Sequence, residues 1–506
     1  MKQEVFEPMD LIRKKLEAIP YPGFSRSIAQ FKILDSIEIE NGRLLVTVNV
    51  NMRSRTSYET LETDLKNVLD TFSSQFEYEL TIKNESSFLD DEVSIQTREG
   101  KLQEDWNQKA SIAQVSTVQK TFDRQSSVED FAKKICRDED ELKVYKHYRN
   151  EWYRRATEFD PGPAPLAVCC ELVSSCNLGC PMCYTVTEEF QSQTVGSTRI
   201  MPWPVAKAVI DECAEMGVYS MLFSWRGEST MYRARDEDGN VVNFASVLAY
   251  ARKKGILEVT SLTNGGLITE EMAEQLIEAE PSWVSFSIDG LEKNYNKIRT
   301  PLNKLNDPNF NAFVRSTSNI ILLDKLRKKH GTNRPQLRCN TIYPPISEDP
   351  MAYYDHMKGI GIDWVTVNEL LDFRQDEIPN DEILNEWACS YPFQRLTVAS
   401  NGTILPCTGA HDEYDDLILG RYVGTKAKRI LQDGEKITKD YPETTLTEAW
   451  NSDRMIEIRE LHKANRRCEI RTCKYCRHGA MKNGADWVPE DWDMEKMEWK
   501  GREWRE

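Results

Sequence analysis

No stretch of this chain approaches eighteen consecutive apolar residues, so a membrane-spanning helix is excluded. The first twenty residues, MKQEVFEPMDLIRKKLEAIP, lack an apolar core and a small-residue cleavage site. A secretory signal is therefore not expected, and a cytoplasmic location is. An excess of positive charge is missing too. With 82 acidic and 65 basic residues the formal charge is −17. That argues against a chain held broadly on phosphate backbones, and neither nucleic acid nor membrane is an expected partner. There is no internal repeat of solenoid length, and no collagen-like, coiled-coil or disordered composition. What remains, 506 residues with 40% hydrophobic and 29% charged, reads as a globular enzyme of about two to four domains.

Cysteine is abundant. Thirteen is an odd count and unsuited to a disulfide framework in a cytoplasmic chain. Position says more than number. Cys176, Cys180 and Cys183 fall close together; Cys468, Cys473 and Cys476 crowd the C-terminal region; Cys389 and Cys407 stand between. Cys136, Cys169, Cys170, Cys213 and Cys339 lie in ordinary apolar surroundings and are expected to be buried small hydrophobes.

The hydropathy pattern divides the chain into three folded regions and a tail. Residues 1–160 form an α+β domain. It has strands near 32–40 and 43–50 around Asn41-Gly42, a helix over 56–72 and a strand over 76–83. Residues 85–125 are polar and irregular, and Ser127 starts a helix running towards Phe159. Pro161-Gly162-Pro163-Ala164-Pro165 is a linker. From Leu166 strands alternate with helices: strands over 166–171, 220–224, 258–263, 283–287, 336–342 and 364–367, with helices over 203–216, 244–254, 270–280, 312–328 and 349–358 between them. This alternation, through about residue 385, predicts a parallel α/β sheet, closed as a partial barrel or open and doubly wound. In either case reactive residues belong at the carboxyl ends of the strands.

Cys176-Asn-Leu-Gly-Cys180-Pro-Met-Cys183 follows the first of these strands. A C-x3-C-x2-C loop can converge its thiolates on one cluster. Three ligands leave one iron of a four-iron cluster open for substrate or cofactor. The alternative is a zinc knuckle, but zinc wants a fourth ligand and no His or Cys follows nearby.

Here the sequence resembles the radical S-adenosylmethionine (SAM) enzymes, whose motif is that cysteine triplet. Trp225-Arg226-Gly227-Glu228-Ser229, after the second strand, is similar to the family's Gly-Gly-Glu-Pro motif, with Arg226 for the first Gly and Ser229 for the Pro. Thr263-Asn264-Gly265 follows the third strand, Ser287-Ile288-Asp289-Gly290 the fourth, and Arg299 comes at the usual interval. The resemblance implies a partial (β/α)6 barrel of radical SAM type. It implies a 4Fe-4S cluster on Cys176, Cys180 and Cys183, and SAM held by Gly227, Glu228, Thr263, Asn264, Ser287, Asp289, Arg299 and Asn340. Glu228 would take the methionine amino group. Ser287 would contact SAM through its hydroxyl, and Arg299 would take the SAM carboxylate, which suits the planar guanidinium fork. The implied chemistry is reductive SAM cleavage to a 5′-deoxyadenosyl radical that removes hydrogen from a substrate, with an electron donor such as flavodoxin or ferredoxin. The catalytic acid or base is not legible.

Cys389, Gly402 and Cys407 are spaced C-x12-G-x4-C, with an Asn401-Gly402 turn between two strand-like runs that would bring the thiols together. Cys473-Lys-Tyr-Cys476 supplies a second pair, and 446–461 reads as a capped amphipathic helix. Over residues 386–483 this resembles the SPASM domain of radical SAM enzymes in a shortened, four-cysteine form. The resemblance implies a second, auxiliary 4Fe-4S cluster on Cys389, Cys407, Cys473 and Cys476. Cys468 is the rival of Cys473, and a structural zinc fits the same spacing. Such a cluster would accept or relay an electron from the substrate radical.

The tail, 484–506, carries Trp487, Trp492, Trp499 and Trp504 at spacings that suit one side of a helix. The leading functional expectation is radical modification of a peptide or protein side chain. The alternative is a dehydrogenase or rearrangement enzyme acting on a sugar or other small metabolite. A third reading, from another class, is a non-catalytic metal-cluster protein, which would have no need of a SAM pocket. The N-terminal domain is expected either to recruit a peptide or to serve as a cap or dimer surface.

Overall fold

In the computed structural model the described residues are 6–19, 28–29, 33–40, 42–50, 55–84, 119–121, 128–186, 190, 199–302, 311–370, 387–410, 413, 415–425, 428–432, 435–476 and 492–499. The chain divides into two compact units, residues 1–112 with 215–217, and residues 113–214 with 218–506. Among the described residues no helix is long and apolar enough to cross a membrane.

The first unit holds helices Phe6–Glu17 and Arg55–Asp70 and a three-stranded sheet, β1 (Leu34–Glu40), β2 (Arg43–Val50) and β3 (Glu77–Asn84). β1 and β2 form the expected antiparallel hairpin around Gly42, whose φ of +83° lies in the left-handed region that glycine enters at no cost. β3 returns parallel to β2 after the helix. Leu44, Val46, Val48 and Val50 alternate inwards onto Ile12, Leu16, Leu61, Leu65 and Leu69.

The larger unit takes in residues that the sequence pattern assigned to the first domain. β4 (Gln119–Thr121), in a stretch expected to be irregular, pairs antiparallel with the last barrel strand. The single helix expected from Ser127 is two, Val128–Ile135 and Glu139–Glu158; Ser127 itself lies outside the described residues. The break is chemical. Asp138 caps the second helix by accepting from the backbone N–H groups of Asp140 and Glu141, and Glu139, Asp140 and Glu141 sit favourably in its first turn. Tyr145 and Tyr148 face inwards, the Tyr148 ring stacked on Tyr219 at 5.3 Å, as a helix core should.

The barrel strands are β5 (Ala167–Cys170), β6 (Ser220–Leu222), β9 (Glu258–Thr263), β10 (Trp283–Ser287), β11 (Gln336–Ile342) and β12 (Trp364–Asn368). A small hairpin, β7 (Arg233–Arg235) with β8 (Val241–Asn243), lies off the sheet. The six barrel strands are parallel and adjacent in chain order, as right-handed crossovers through the intervening helices require. Both faces are covered, so β9 and β10 are buried almost end to end. This is the partial barrel rather than the doubly wound alternative.

The sheet continues past β5 into the C-terminal region. β13 (Arg395–Val398) runs parallel to β5, and β14 (Thr403–Leu405) turns back at Gly402. That glycine has φ +87°, and a Cβ there would stand 2.3 Å from the Thr425 side chain. β15 (Gly420–Tyr422) and β18 (Glu443–Thr444) complete an eleven-stranded sheet; β16 (Lys428–Gln432) and β17 (Glu435–Lys439) form a separate hairpin. The helix expected over 446–461 is two, Leu446–Trp450 and Asp453–Lys463. Thr445 and Glu448 close a capping box on the first, and Ser452 caps the second. In the tail, Trp492–Asp493 (β19) and Glu498–Trp499 (β20) form a hairpin and not a helix face. Its turn is tied by Asp493, which accepts from the Glu495 and Lys496 N–H groups. Trp487 and Trp504 lie outside the described residues.

Candidate functional site

The loop after β5 carries Cys176, Cys180 and Cys183, and the three thiols lie in one apolar nest with Leu178, Met182, Ile298 and Leu370. Burial is the main force raising the Cys176 and Cys180 thiols, the latter to about 12, and each feels its neighbours in the triplet. The Leu178 N–H donates to Cys176 Sγ, and Thr185 Oγ1 lies 3.1 Å from Cys183 Sγ. Trp492 and Met497, from the tail hairpin, complete the nest at 2% and 4% exposure, and Lys297 Nζ donates to the Glu495 carbonyl. The spacing of the tail tryptophans, which suits one side of a helix, held no signal for this hairpin.

The carboxyl ends of β6 and β9 are locked to this loop. Gly227 is required there: a Cβ would stand 2.3 Å from the Val173 carbonyl oxygen and 2.6 Å from that of Ser175. The Glu228 carboxylate is buried and accepts from Thr230 N (3.1 Å), Thr230 Oγ1 (2.5 Å), Thr263 Oγ1 (2.6 Å) and Asn264 N (2.7 Å). Three of the four donors meet Oε1 and one meets Oε2, which keeps acceptor capacity for a further donor. Asn264 continues the chain of bonds, its Nδ2 donating to Asn177 Oδ1 at 2.8 Å, beside Cys176.

On the other side Asp289 and Arg299 pair. Arg299 Nε donates to Asp289 Oδ2 at 2.7 Å, and the same carboxylate receives Ile342 N at 3.0 Å. The Arg299 charge lowers the Cys180 thiol against the effect of burial. Part of the fork expected to grip a carboxylate of SAM is thus already engaged, and Arg299 remains 16% exposed at its side chain. Ser287 and Asn340 are register neighbours on β10 and β11, each half-buried, and Thr366 Oγ1 donates to Asn340 Oδ1. The Ser287 hydroxyl makes no hydrogen bond among the described residues.

Arg226, which stands where the resemblance puts a glycine, has a use that sequence alone did not reveal. It is buried between two carboxylates. Nε and Nη2 bond Glu171 at 2.9 and 2.7 Å, and Nη1 pairs with Glu413 at 2.7 Å. Glu171 also accepts from Ser400 N, and Glu413 from Asn401 Nδ2. The indole of Trp225 stacks on the guanidinium at 3.9 Å and donates to the Thr408 carbonyl at 2.9 Å, next to Cys407. The second-strand motif therefore touches Ser175, beside Cys176, and Thr408, beside Cys407.

Cys389, Cys407, Cys473 and Cys476 come together from three segments. Burial raises the Cys389, Cys407 and Cys473 thiols, Cys407 to about 11, and the neighbours that add to the effect are the other members of the set. Gly409 lies against two of them: a Cβ there would be 3.5 Å from Cys407 Sγ and 3.8 Å from Cys476 Sγ. Cys468 sits on the preceding turn, Arg467–Glu469, with Arg466 as its charged neighbour. His462 and Arg467 were not foreseen. His462 Nδ1 accepts from Cys389 N at 3.1 Å, and burial, aided by Arg467, holds this imidazole at about 4 and neutral. Arg467, 1% exposed, donates to the carbonyls of Cys473 and Cys476.

Both donor sets fit iron–sulfur clusters. Crowded, buried thiols resist ionisation unless a cation sits among them, and a bound metal deprotonates them outright. Among the described residues no three His, Cys, Asp or Glu side chains are grouped tightly enough for a bare ion. A four-iron cluster spaces its thiolates wider than a single ion does.

Family models match at both places: the radical SAM superfamily at residues 171–309, and an iron–sulfur cluster-binding domain at residues 389–477. The chain thus carries a radical SAM domain and an iron–sulfur cluster-binding domain. Its cofactors are SAM and 4Fe-4S clusters. Two curated proteins are similar to it. Fe-coproporphyrin III synthase of Methanosarcina barkeri is 35% identical over 142 residues, which is 28% of this chain and 31% of that protein. The match thus spans about a third of that relative's length. The tungsten-containing aldehyde ferredoxin oxidoreductase cofactor-modifying protein of Pyrococcus furiosus is 23% identical over 335 residues, 58% of this chain and 83% of that one. Among solved structures, anSMEcpe with bound AdoMet has a TM-score of 0.42 at 17% identity, over 63% of this chain and 90% of that one. Streptococcus suis SuiB bound to S-adenosylmethionine has 0.39 at 15%, over 83% and 86%.

Proposed function

We propose that this radical SAM enzyme abstracts hydrogen from a side chain of a peptide or protein, with Cys176, Cys180 and Cys183 holding the SAM-binding cluster and Cys389, Cys407, Cys473 and Cys476 a second one. When bound, the reduced first cluster supplies the electron that splits SAM and yields the 5′-deoxyadenosyl radical. The chain's own residues position and enclose. Glu228 acts as a brace: it ties the ends of β6 and β9 to each other, and Asn264 ties them to the cysteine loop. The observation that carries the reading is this run of bonds from Glu228 through Asn264 to Asn177. A site for SAM beside an open iron needs that loop fixed against both strand ends. Ser287, Asn340 and the remaining N–H groups of Arg299 hold SAM, and Asp289 sets the guanidinium plane. The apolar nest closed by Trp492 and Met497 keeps water from the cysteine loop.

A peptide substrate is supported by the first unit. β1 and β3 are the edges of its sheet, and an extended peptide adds naturally as a further strand. The second reading, a small metabolite or cofactor precursor as substrate, draws on the names of the two curated relatives, a porphyrin synthase and a cofactor-modifying protein. Anaerobic reconstitution, reduction and assay of 5′-deoxyadenosine tests the reaction. Wild type should form it, and Cys176→Ala/Cys180→Ala/Cys183→Ala should not. Candidate peptides, sugars and porphyrin precursors, each added in turn, separate the substrate classes by which one raises turnover and gains a mass change. Failure of the iron-loaded wild type to form the nucleoside with every class present overturns the reading.

A further inference from the structure

One arginine on the inner face of the barrel sheet lacks a counter-charge. Side chains of β11 alternate between the two faces. The Cys339 thiol lies 3.0 Å from the Tyr353 hydroxyl, on the crossover helix Pro350–Gly359 that covers the outside. Arg338 and Asn340 therefore point the other way, into the barrel. Ser285 and Ser287 of β10 stand in register with them. Arg338 is one inner layer below Asn340, about 7 Å further from the carboxyl end of the strand.

The guanidinium is held from one side only. Nε donates to Thr366 Oγ1 at 3.1 Å, and Cζ stands 5.3 Å from the ring centroid of Trp283, the first residue of β10. Among the described residues Nη1 and Nη2 make no hydrogen bond and Arg338 makes no ion pair. Glu258, the carboxylate that acts on it, receives the Tyr148 hydroxyl and the Trp283 indole instead, each at 3.4 Å. Other buried arginines use more of their fork. Arg226 lies between two carboxylates, and Arg459 gives Nε and Nη1 to the carbonyls of Pro392 and Trp450. Burial pulls Arg338 down to about 10. The Ser285 hydroxyl, 0% exposed on the same face, also has no partner among the described residues.

A desolvated cation without an anion is unfavourable, and two free guanidinium nitrogens match the two oxygens of a carboxylate. We propose that Arg338 takes a carboxylate of the substrate, one layer below Ser287 and Asn340, so that the substrate is an acid. This rests on the reading above that the substrate enters the barrel beside SAM. In a peptide the acid is an Asp or Glu side chain or the C-terminal carboxylate.

Thermal unfolding of the iron-loaded protein under anaerobic conditions tests this, with propionate as the probe and propionamide as its neutral isostere. Propionate should raise the wild-type midpoint and propionamide should not. Arg338→Met should lose the propionate shift, and Arg338→Lys should keep part of it, because an ammonium meets a carboxylate as a point charge. No propionate shift in wild type overturns the proposal, as does an equal shift in Arg338→Met. If Arg338→Met fails to fold, the wild-type difference between propionate and propionamide decides alone. Two peptides then separate the sources: one with an internal Glu and an amidated C-terminus, the other with Gln in its place and a free C-terminal carboxylate. The acid is the one whose peptide gives the larger shift that depends on Arg338. A shift from neither, with the propionate shift intact, assigns the acid to a small molecule. No part of this test uses SAM cleavage. Propionate bound at Arg338 in a protein that never forms 5′-deoxyadenosine overturns the radical reading and leaves this site standing; nucleoside formed by a protein that ignores propionate does the reverse.

Discussion

The first and second cysteine groups differ in how the chain assembles them. Cys176, Cys180 and Cys183 lie on one continuous loop behind β5, and nothing distant is needed to bring them near each other. Cys389, Cys407, Cys473 and Cys476 come from the approach to β13, the exit of β14 and the short helix Arg471–Tyr475. They meet because β13 adds to the barrel sheet beside β5 and because helix Asp453–Lys463 presents His462 to Cys389. A local group is legible as a spacing. A distributed one depends on every contact that docks its segments, so it should be the more easily lost.

Four variants break or sharpen this contrast. The largest effect is expected from Cys389→Ala with Cys407→Ala. Substrate product should disappear while part of the SAM cleavage survives, measured as 5′-deoxyadenosine against product in the same reaction. Equal loss of both would join the two groups into one functional unit. Next is Arg226→Met. It leaves Glu171 and Glu413 buried without their cation, a change that costs about 3–5 kcal/mol where a buried pair is broken from one side. Thermal unfolding of the iron-loaded protein should show it, and Arg226→Lys should recover only part, because an ammonium cannot bond Glu171 through two nitrogens.

Trp492→Ala acts on the first group alone. Removing a fully buried indole costs about 3 kcal/mol at the low end of such truncations, and here the loss falls on the docking of the tail hairpin. The first cluster should then bleach faster in air while the second keeps its rate, both followed by absorbance and iron release. Equal rates would mean that the hairpin shields neither. The smallest effect is expected from Trp225→Phe, which keeps the ring over Arg226 and deletes the bond to the Thr408 carbonyl. About 1 kcal/mol of stability is at stake. SAM cleavage should stay within a small factor of wild type, while an uncoupled rise in cleavage without product would make this contact a link between the two groups.

Much of this architecture was readable from residue order. The six barrel strands and their crossover helices fall within a few residues of the expected ranges, because parallel strands buried on both faces are continuous apolar runs separated by amphipathic helices. The misses have local causes. One expected helix became two where Asp138 offered a better cap than the helix interior, and another broke at Asn451-Ser452 for the same reason. β4 was hidden in a polar stretch, since an edge strand of three residues leaves almost no pattern.

The site shows the same division at finer grain. The motif residues were found, but the bonds they make were not. The sequence did not show that Glu228 also braces Thr263 and Asn264, or that Asp289 pairs with Arg299. Arg226 read as a departure from a motif, and it is the cation between Glu171 and Glu413.

By itself the sequence determined the barrel, the cysteine loop behind its first strand and the presence of a second cysteine group. These depend on periodicity and spacing, which are properties of neighbours along the chain. Only the tertiary structure decided which donors the Glu228 carboxylate meets, that the tail closes as a hairpin over the first cysteines, and that Arg226 lies between Glu171 and Glu413. A charge acts through space on whatever stands beside it, and residue order does not say what that will be.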